Sequence, residues 1–122
     1  MQVPGWDASA RGDVFDSQCP ARGVLDHVTS KWAVLVLAAL RGGPLRFSAL
    51  RRRIGGVSEK MLAQTLRTLE ADGFVDREVA PTTPPQVTYS LTGIGHEVTR
   101  HLTGLLNWID ERLPDVLAAR SA

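Results

Sequence analysis

The chain contains one cysteine, one tyrosine and three phenylalanines in 122 residues, and its longest apolar run, Trp32 to Leu40, is nine residues long. A single thiol excludes an internal disulfide, and with it the small disulfide-stapled scaffold of many secreted domains. A membrane-spanning helix needs about 20 apolar residues, so none is expected and no membrane partner is read. The opening MQVPGWDASARGDVFDSQ lacks a basic start followed by an apolar stretch, so no secretory signal is read either. A cytoplasmic, reducing compartment is the expectation. Acidic residues are scarce in one place. Between Arg41 and Arg67, Arg41, Arg46, Arg51, Arg52, Arg53, Lys60 and Arg67 face only Glu59, a local charge of +6 in a chain whose total is +1. Such segregation suits a polyanion, although a solvated helix surface can also be locally basic.

Catalytic and metal-binding constellations are also missing. His27, His96 and His101 lie apart, and the last two are not at the i, i+4 spacing of a helical metal pair. There is no glycine-rich phosphate loop, the carboxylates are scattered, and Glu97 with His101 reads as an exposed helix pair. No metal, cofactor or enzymatic activity is expected.

What is present is an ordered succession of short amphipathic segments with ordinary globular composition, 43% hydrophobic and 22% charged. Residues 1–18 mix Gly, Pro, Ser and Asp without a period and read as a flexible arm, with one domain over 19–122. Pro20 suits the first position of a helix over 20–28, with Val24, Leu25 and Val28 as its apolar stripe. Ser30 caps a largely buried helix from Lys31 to Arg41, stopped by Gly42-Gly43-Pro44. Leu45 to Phe47 reads as an extended connector, after which Ser48 caps the short helix SALRRRI and Gly55-Gly56 turns the chain. Ser58 then caps EKMLAQTLRTLEAD, in which Leu62, Leu66 and Leu69 repeat at i, i+4, i+7 before Gly73 closes the helix. FVDREVA and VTYSL alternate at period two and read as strands joined by the stiff loop PTTPPQ. A last helix runs from about Thr92 to Arg112 with Val98, Leu102, Leu105, Ile109 and Leu113 as its main stripe.

This order is mainly α with a small β-wing: a winged helix-turn-helix, whose capped helix after Ser58 would enter the major groove of double-stranded DNA. Opposite its leucines stand Lys60, Ala63, Gln64 and Arg67. Gln64 can pair with adenine, Lys60 and Arg67 with guanine or phosphate, and Ala63 permits close approach. Ser58 starts the same helix. Arg46, Ser48, Arg51, Arg52 and Arg53 suit phosphates, because the preceding helix crosses the backbone. Arg77 on the first wing strand, with Thr82, Thr83 and Gln86 in the loop, would add backbone contacts. Leu102, Leu105, Leu106, Trp108 and Ile109 in the last helix exceed what so small a core can absorb, which fits a homodimer, and Val24 of the first helix is expected at the same interface.

The stretch from Cys19 to the last helix, with its Cys-Pro start, Lys31-Trp32, Gly43-Pro44, Leu50-Arg51, Ser58-x-Lys60-x-Leu62, Leu66-Arg67-x-Leu69-Glu70, Gly73 and Pro84-Pro85 before Tyr89-Ser90-Leu91-Thr92, resembles the HxlR-type winged-helix regulators, relatives of the MarR type. Gln86 departs from the basic residue common there. The resemblance implies a bacterial homodimeric transcription factor, a repressor by expectation, dimerising through its first and last helices and reading a palindromic operator. It also implies sensing of an electrophile or oxidant through Cys19, since some relatives use a cysteine at this position and others do not. As the residue before Pro20, Cys19 would cap the first helix beside free backbone N–H groups and the positive dipole end, with Arg22 one turn on, where thiols are activated. A quiet structural cysteine, a small effector acting without thiol chemistry, and a protein-interaction module with an acidic partner remain open alternatives.

Overall fold

A computed structural model describes residues 13–122; most of the arm expected over 1–18, with Trp6, lies outside the described residues. The elements are α1 (Pro20–Thr29), α2 (Lys31–Leu40), β1 (Leu45–Arg46), α3 (Phe47–Arg53), α4 (Glu59–Ala71), β2 (Val75–Ala80), β3 (Gln86–Leu91) and α5 (Gly93–Ser121). The fold is a winged helix-turn-helix: mainly helical, with one three-stranded antiparallel sheet in the order β1-β3-β2. Among the described residues no single helix is long and apolar enough to cross a membrane.

α2 is the hub, because its composition is apolar on every side and it must be covered on every side. Val36, Leu37 and Leu40 are buried against Leu50 of α3, Leu62, Leu66 and Leu69 of α4, Val75 and Leu91 of the sheet and Leu102 of α5. Each fully buried leucine contributes about 1.5–3 kcal/mol. Ser30 sets the angle between α1 and α2, which meet at 70°. Its hydroxyl accepts the Ala33 N–H at 3.2 Å, closing one open donor at the start of α2.

Four sequence expectations need correction. Ser48 is not a cap. Leu45 and Arg46 pair with Tyr89 and Thr88 as a third strand, so extended backbone persists to Arg46, which becomes the N-cap, and Phe47 is already helical. Val79 does not alternate inward, because the wing has left the body by that point and the side chain is exposed. Val24 and Leu25 of α1 are exposed, and Val28 alone of that stripe is buried. The last helix does not stop at Arg112: it runs through Pro114 to Ser121. A proline inside a helix costs about 3 kcal/mol in the general case, but good helix formers flank this one and an Arg112–Asp115 ion pair at 3.1 Å straddles it.

The wing and α5 join the body at one junction. α4 ends with Gly73 at φ 81°. There the Phe74 N–H donates to the Leu69 carbonyl at 2.9 Å and the Gly73 N–H to the Glu70 carbonyl at 3.0 Å, the Schellman arrangement. Thr92, leaving the sheet, donates its N–H to the Phe74 carbonyl at 3.1 Å and its hydroxyl to the Gly73 carbonyl at 2.5 Å, while that hydroxyl accepts the Gly95 N–H at 3.0 Å. Gly95 lies flush on this turn: a Cβ there would sit 2.0 Å from the Phe74 carbonyl oxygen. Gly95→Ala therefore forces α5 off the turn and lowers stability by about 1–3 kcal/mol. Gly93→Ala, which would meet nothing within 4 Å, lowers it not at all. Urea denaturation of the two variants checks the contrast, and equal midpoints would refute it.

Candidate nucleic-acid interface

α4 is held at both ends and along one face. At its start the Ser58 hydroxyl accepts the Met61 N–H at 3.0 Å, as the sequence predicts for a cap. At its end stands the Gly73 turn. Leu62, Leu66 and Leu69 are fully buried, and Thr65 joins them by donating its hydroxyl to the Met61 carbonyl at 2.8 Å. The helix thus has no freedom to roll, and Lys60, Gln64 and Arg67 are fixed on its exposed side.

Ala63 is placed differently from expectation. It is half-buried on the flank that faces the sheet, lining with Leu66, Arg67, Glu70, Arg77 and Tyr89 an open cleft of about 400 Å³. The cleft brings Arg77 of β2 and Arg67 of α4 to one groove, which the sequence did not connect. On the other flank, Met61, Gln64 and Thr68 border α1 and α2 across a cleft of about 200 Å³ that also holds Asp26 and His27.

The expected phosphate group divides into three. Ser48, Arg51 and Arg52 share a cleft of about 350 Å³ with Phe47 and Glu59, beside the start of α4. Arg51 donates to the Glu59 carboxylate at 3.0 Å, a pair exposed on both sides and so worth little to stability and easily exchanged. Arg46 donates to the Gln86 amide oxygen at 2.7 Å. Gln86 is not a loop residue but the first residue of β3, paired with Ala80 at the loop end of the hairpin, so its contact with Arg46 ties the outer end of the wing ladder to β1. Arg53 is not with its neighbours: it borders a different cleft, with Leu35, Ala38, Ala39, Ile54, Gly55 and Leu106. In the exposed wing tip the Thr82 hydroxyl donates to the Pro84 carbonyl at 2.8 Å, while Thr83 stands in the same exposed turn.

The residues expected at a dimer interface also divide. Leu102 is buried in the core of this chain and is not free for a partner. Leu106 is half-buried, whereas Val24, Leu105, Trp108 and Ile109 are 44%, 51%, 55% and 42% exposed. Cys19 caps α1 without a side-chain hydrogen bond and is buried, only 9% exposed. The Arg22 guanidinium turns away from it to the Phe15 carbonyl at 3.2 Å. One contact had no sequence signal: His27 Nδ1 and Asp72 Oδ2, 45 positions apart, meet at 2.5 Å and tie α1 to the end of α4. Among the described residues no group of three His, Cys, Asp or Glu converges on a common point.

A protein-family model described as HxlR-like helix-turn-helix matches residues 27–116. The chain belongs to that family. Among its relatives, the uncharacterized HTH-type transcriptional regulator YtfH of Escherichia coli strain K12 is 58% identical over 109 residues, covering 89% of this chain and 86% of the relative. The solved structure of YtfH from Salmonella typhimurium superposes with a TM-score of 0.87 at 56% identity, over 91% of this chain and 99% of that one. The redox regulator HypR, solved in an oxidized form, superposes at 0.71 with 35% identity, over 76% of this chain and 96% of that one. Transcriptional regulation by a helix-turn-helix is therefore the class of function of this HxlR-like chain. The matched segment begins at His27 and leaves Cys19 outside it.

If the Ser58 hydroxyl fixes the start of α4, Ser58→Ala costs about 1 kcal/mol, the ordinary loss for an N-cap. Ser58→Asp, which restores an acceptor, recovers most of it. Denaturant midpoints at constant slope report both.

Proposed function

We propose that two copies of this chain bind a palindromic DNA operator and act there as a transcriptional repressor, each α4 reading one half-site in the major groove. The observation that carries the reading is the two-sidedness of α4: three leucines lock it to the core while Lys60, Gln64 and Arg67 stand together on the exposed side. Gln64 offers the bidentate amide that matches adenine, and Arg67 and Lys60 match guanine or phosphate. Ser48, Arg51 and Arg52 on one flank, and Arg77 on the other, are placed to straddle the groove and take backbone phosphates. Arg46, Gln86, Thr82 and Thr83 extend that contact along the wing. The half-sites would lie one helical turn apart, ~34 Å centre to centre. Val24, Leu105, Trp108 and Ile109 supply the apolar surface for the dimer, with Leu106 at its margin.

Fluorescence-anisotropy titrations with an operator selected from random-sequence DNA test this. Gln64→Ala and Arg67→Ala each narrow the gap between operator and random duplex by about 1–3 kcal/mol. Arg51→Ala and Arg52→Ala weaken both duplexes alike, and each reduces the slope of log affinity against log salt by about 0.9. Equal affinity of the unaltered protein for operator and random duplex at physiological salt would sink the reading.

A second reading concerns the signal, and the redox regulator among the structural neighbours favours it. In it, Cys19 thiols of two protomers join as a disulfide, giving two electrons and two protons to an oxidant, or one thiol adds to an electrophile. The displaced α1 transmits the change to α4 through His27 and Asp72. Under this reading, genome-wide mapping of bound DNA shows release by a thiol oxidant in the unaltered protein and none in Cys19→Ser. The same response in both would assign sensing elsewhere.

A further inference from the structure

Around α4, positive charge is unevenly shared. Arg51 and Arg52 stand beside its start and Arg77 on its sheet-side flank. The opposite flank, where Met61, Gln64 and Thr68 face α1 and α2 across a cleft, has Asp26 and His27 in its walls but no lysine or arginine. The major groove of a duplex is bounded by a phosphate strand on each side, and contacts to both fix the register of a helix lying in it. A cation is therefore wanted on the side of α4 that faces α1 and α2.

Lys31 stands there. It is the first residue of α2, directly after Ser30, which lines the cleft together with Met61 and Gln64. The residue is exposed, yet its Nζ lies over the Trp32 ring, 4.3 Å from the ring centroid, a cation–π contact. The ring is packed against the core, and its edge reaches the turn before α4: a Cβ on Gly56, two residues ahead of the Ser58 cap, would meet the ring atom Cη2 at 3.9 Å. The ammonium is thus carried on a ring that abuts the turn leading into α4. Arg51 is held by Glu59, whereas Lys31 is in none of the ion pairs among the described residues. An aromatic face covers one side of an ammonium and leaves N–H donors free for a phosphate oxygen. A lysine already resting in one place also loses less side-chain freedom on binding than one loose in solvent.

We propose, building on the DNA-binding reading of α4, that Lys31 binds a backbone phosphate on the α1 and α2 side of the major groove and that the Trp32 ring positions it. The contact adds affinity and register without reading sequence. With it, each copy of the chain holds the backbone on both sides of α4.

Anisotropy titrations of the full chain over a salt series, with the selected operator and with random duplex, test the assignment. Lys31→Ala weakens both duplexes alike and lowers the slope of log affinity against log salt by about 0.9 for each bound copy. Lys31→Arg, which keeps the charge and can lie on the same ring, retains the slope, and Lys31→Gln does not. Arg100→Ala, which removes a cation from the exposed side of α5, leaves the slope unchanged. A scan of single uncharged methylphosphonates across the operator adds a readout that a merely structural lysine would not move: one position weakens binding by the unaltered protein and has no further effect on Lys31→Ala. The proposal is overturned if the unaltered protein prefers the operator while Lys31→Ala keeps the full salt slope, or if Lys31→Gln retains the slope as well as Lys31→Arg does. A lowered urea midpoint in Lys31→Ala with an unchanged slope overturns it too, and assigns the lysine to the stability of α2. If the unaltered protein shows no operator preference, the DNA reading itself has failed and this contact falls with it.

Discussion

The carbonyl of Phe74 and the bare Cα of Gly95 form the contact on which the orientation of the exposed face of α4 rests. A helix presents its outward residues in a fixed direction only if both roll and tilt are set, and a face of leucines alone fixes roll better than tilt. Tilt is set at the C-terminal end, where the Schellman turn at Gly73 hands its carbonyls to Thr92 and α5 lies against the turn without a side chain between. The same few atoms also anchor the wing, since β2 leaves from Phe74 and β3 returns to Thr92. Helix, wing and last helix therefore move as one piece or not at all.

Much of this was legible in the sequence because it is encoded locally. The period of Leu62, Leu66 and Leu69, the caps at Ser30 and Ser58 and the left-handed glycine at position 73 each act within one turn of chain, and each appears where its pattern places it. Misreadings came where a distant partner overrides the local signal. Ser48 is a good cap by type, but pairing of β1 with β3 moves the helix start ahead of it. Leu102 belongs by spacing to an outward stripe that turns inward at α2, and only the packing shows which residues fall on each side. His27 with Asp72, and Arg67 with Arg77, are joined by folding alone, across separations that no periodicity spans.

The arginine run of α3 shows how geometry refines a charge count. Three consecutive arginines read as one basic block, yet successive helical residues are 100° apart, so the first and third point about 200° apart and the three cannot all share a face. Arg51 and Arg52 stay beside the start of α4, while Arg53 turns toward α5 and an apolar hollow. Glu59, the one acidic residue of the basic segment, holds Arg51 in place at 3.0 Å. It makes the local field less positive than the sum suggests, but it also positions a long side chain that would otherwise be mobile.

From Asn107 onward every residue of α5 is exposed, so about 22 Å of helix at 1.5 Å per residue stands clear of the body. Isolated helices of this length are marginal in water, and Pro114 removes one of the hydrogen bonds that would hold this one. Its coil–helix balance is therefore decided by whatever lies against Leu113, Val116 and Leu117. The ordered length of the chain is in that sense a property of its surroundings, and the tail of α5 registers in its own helicity whether the molecule is alone.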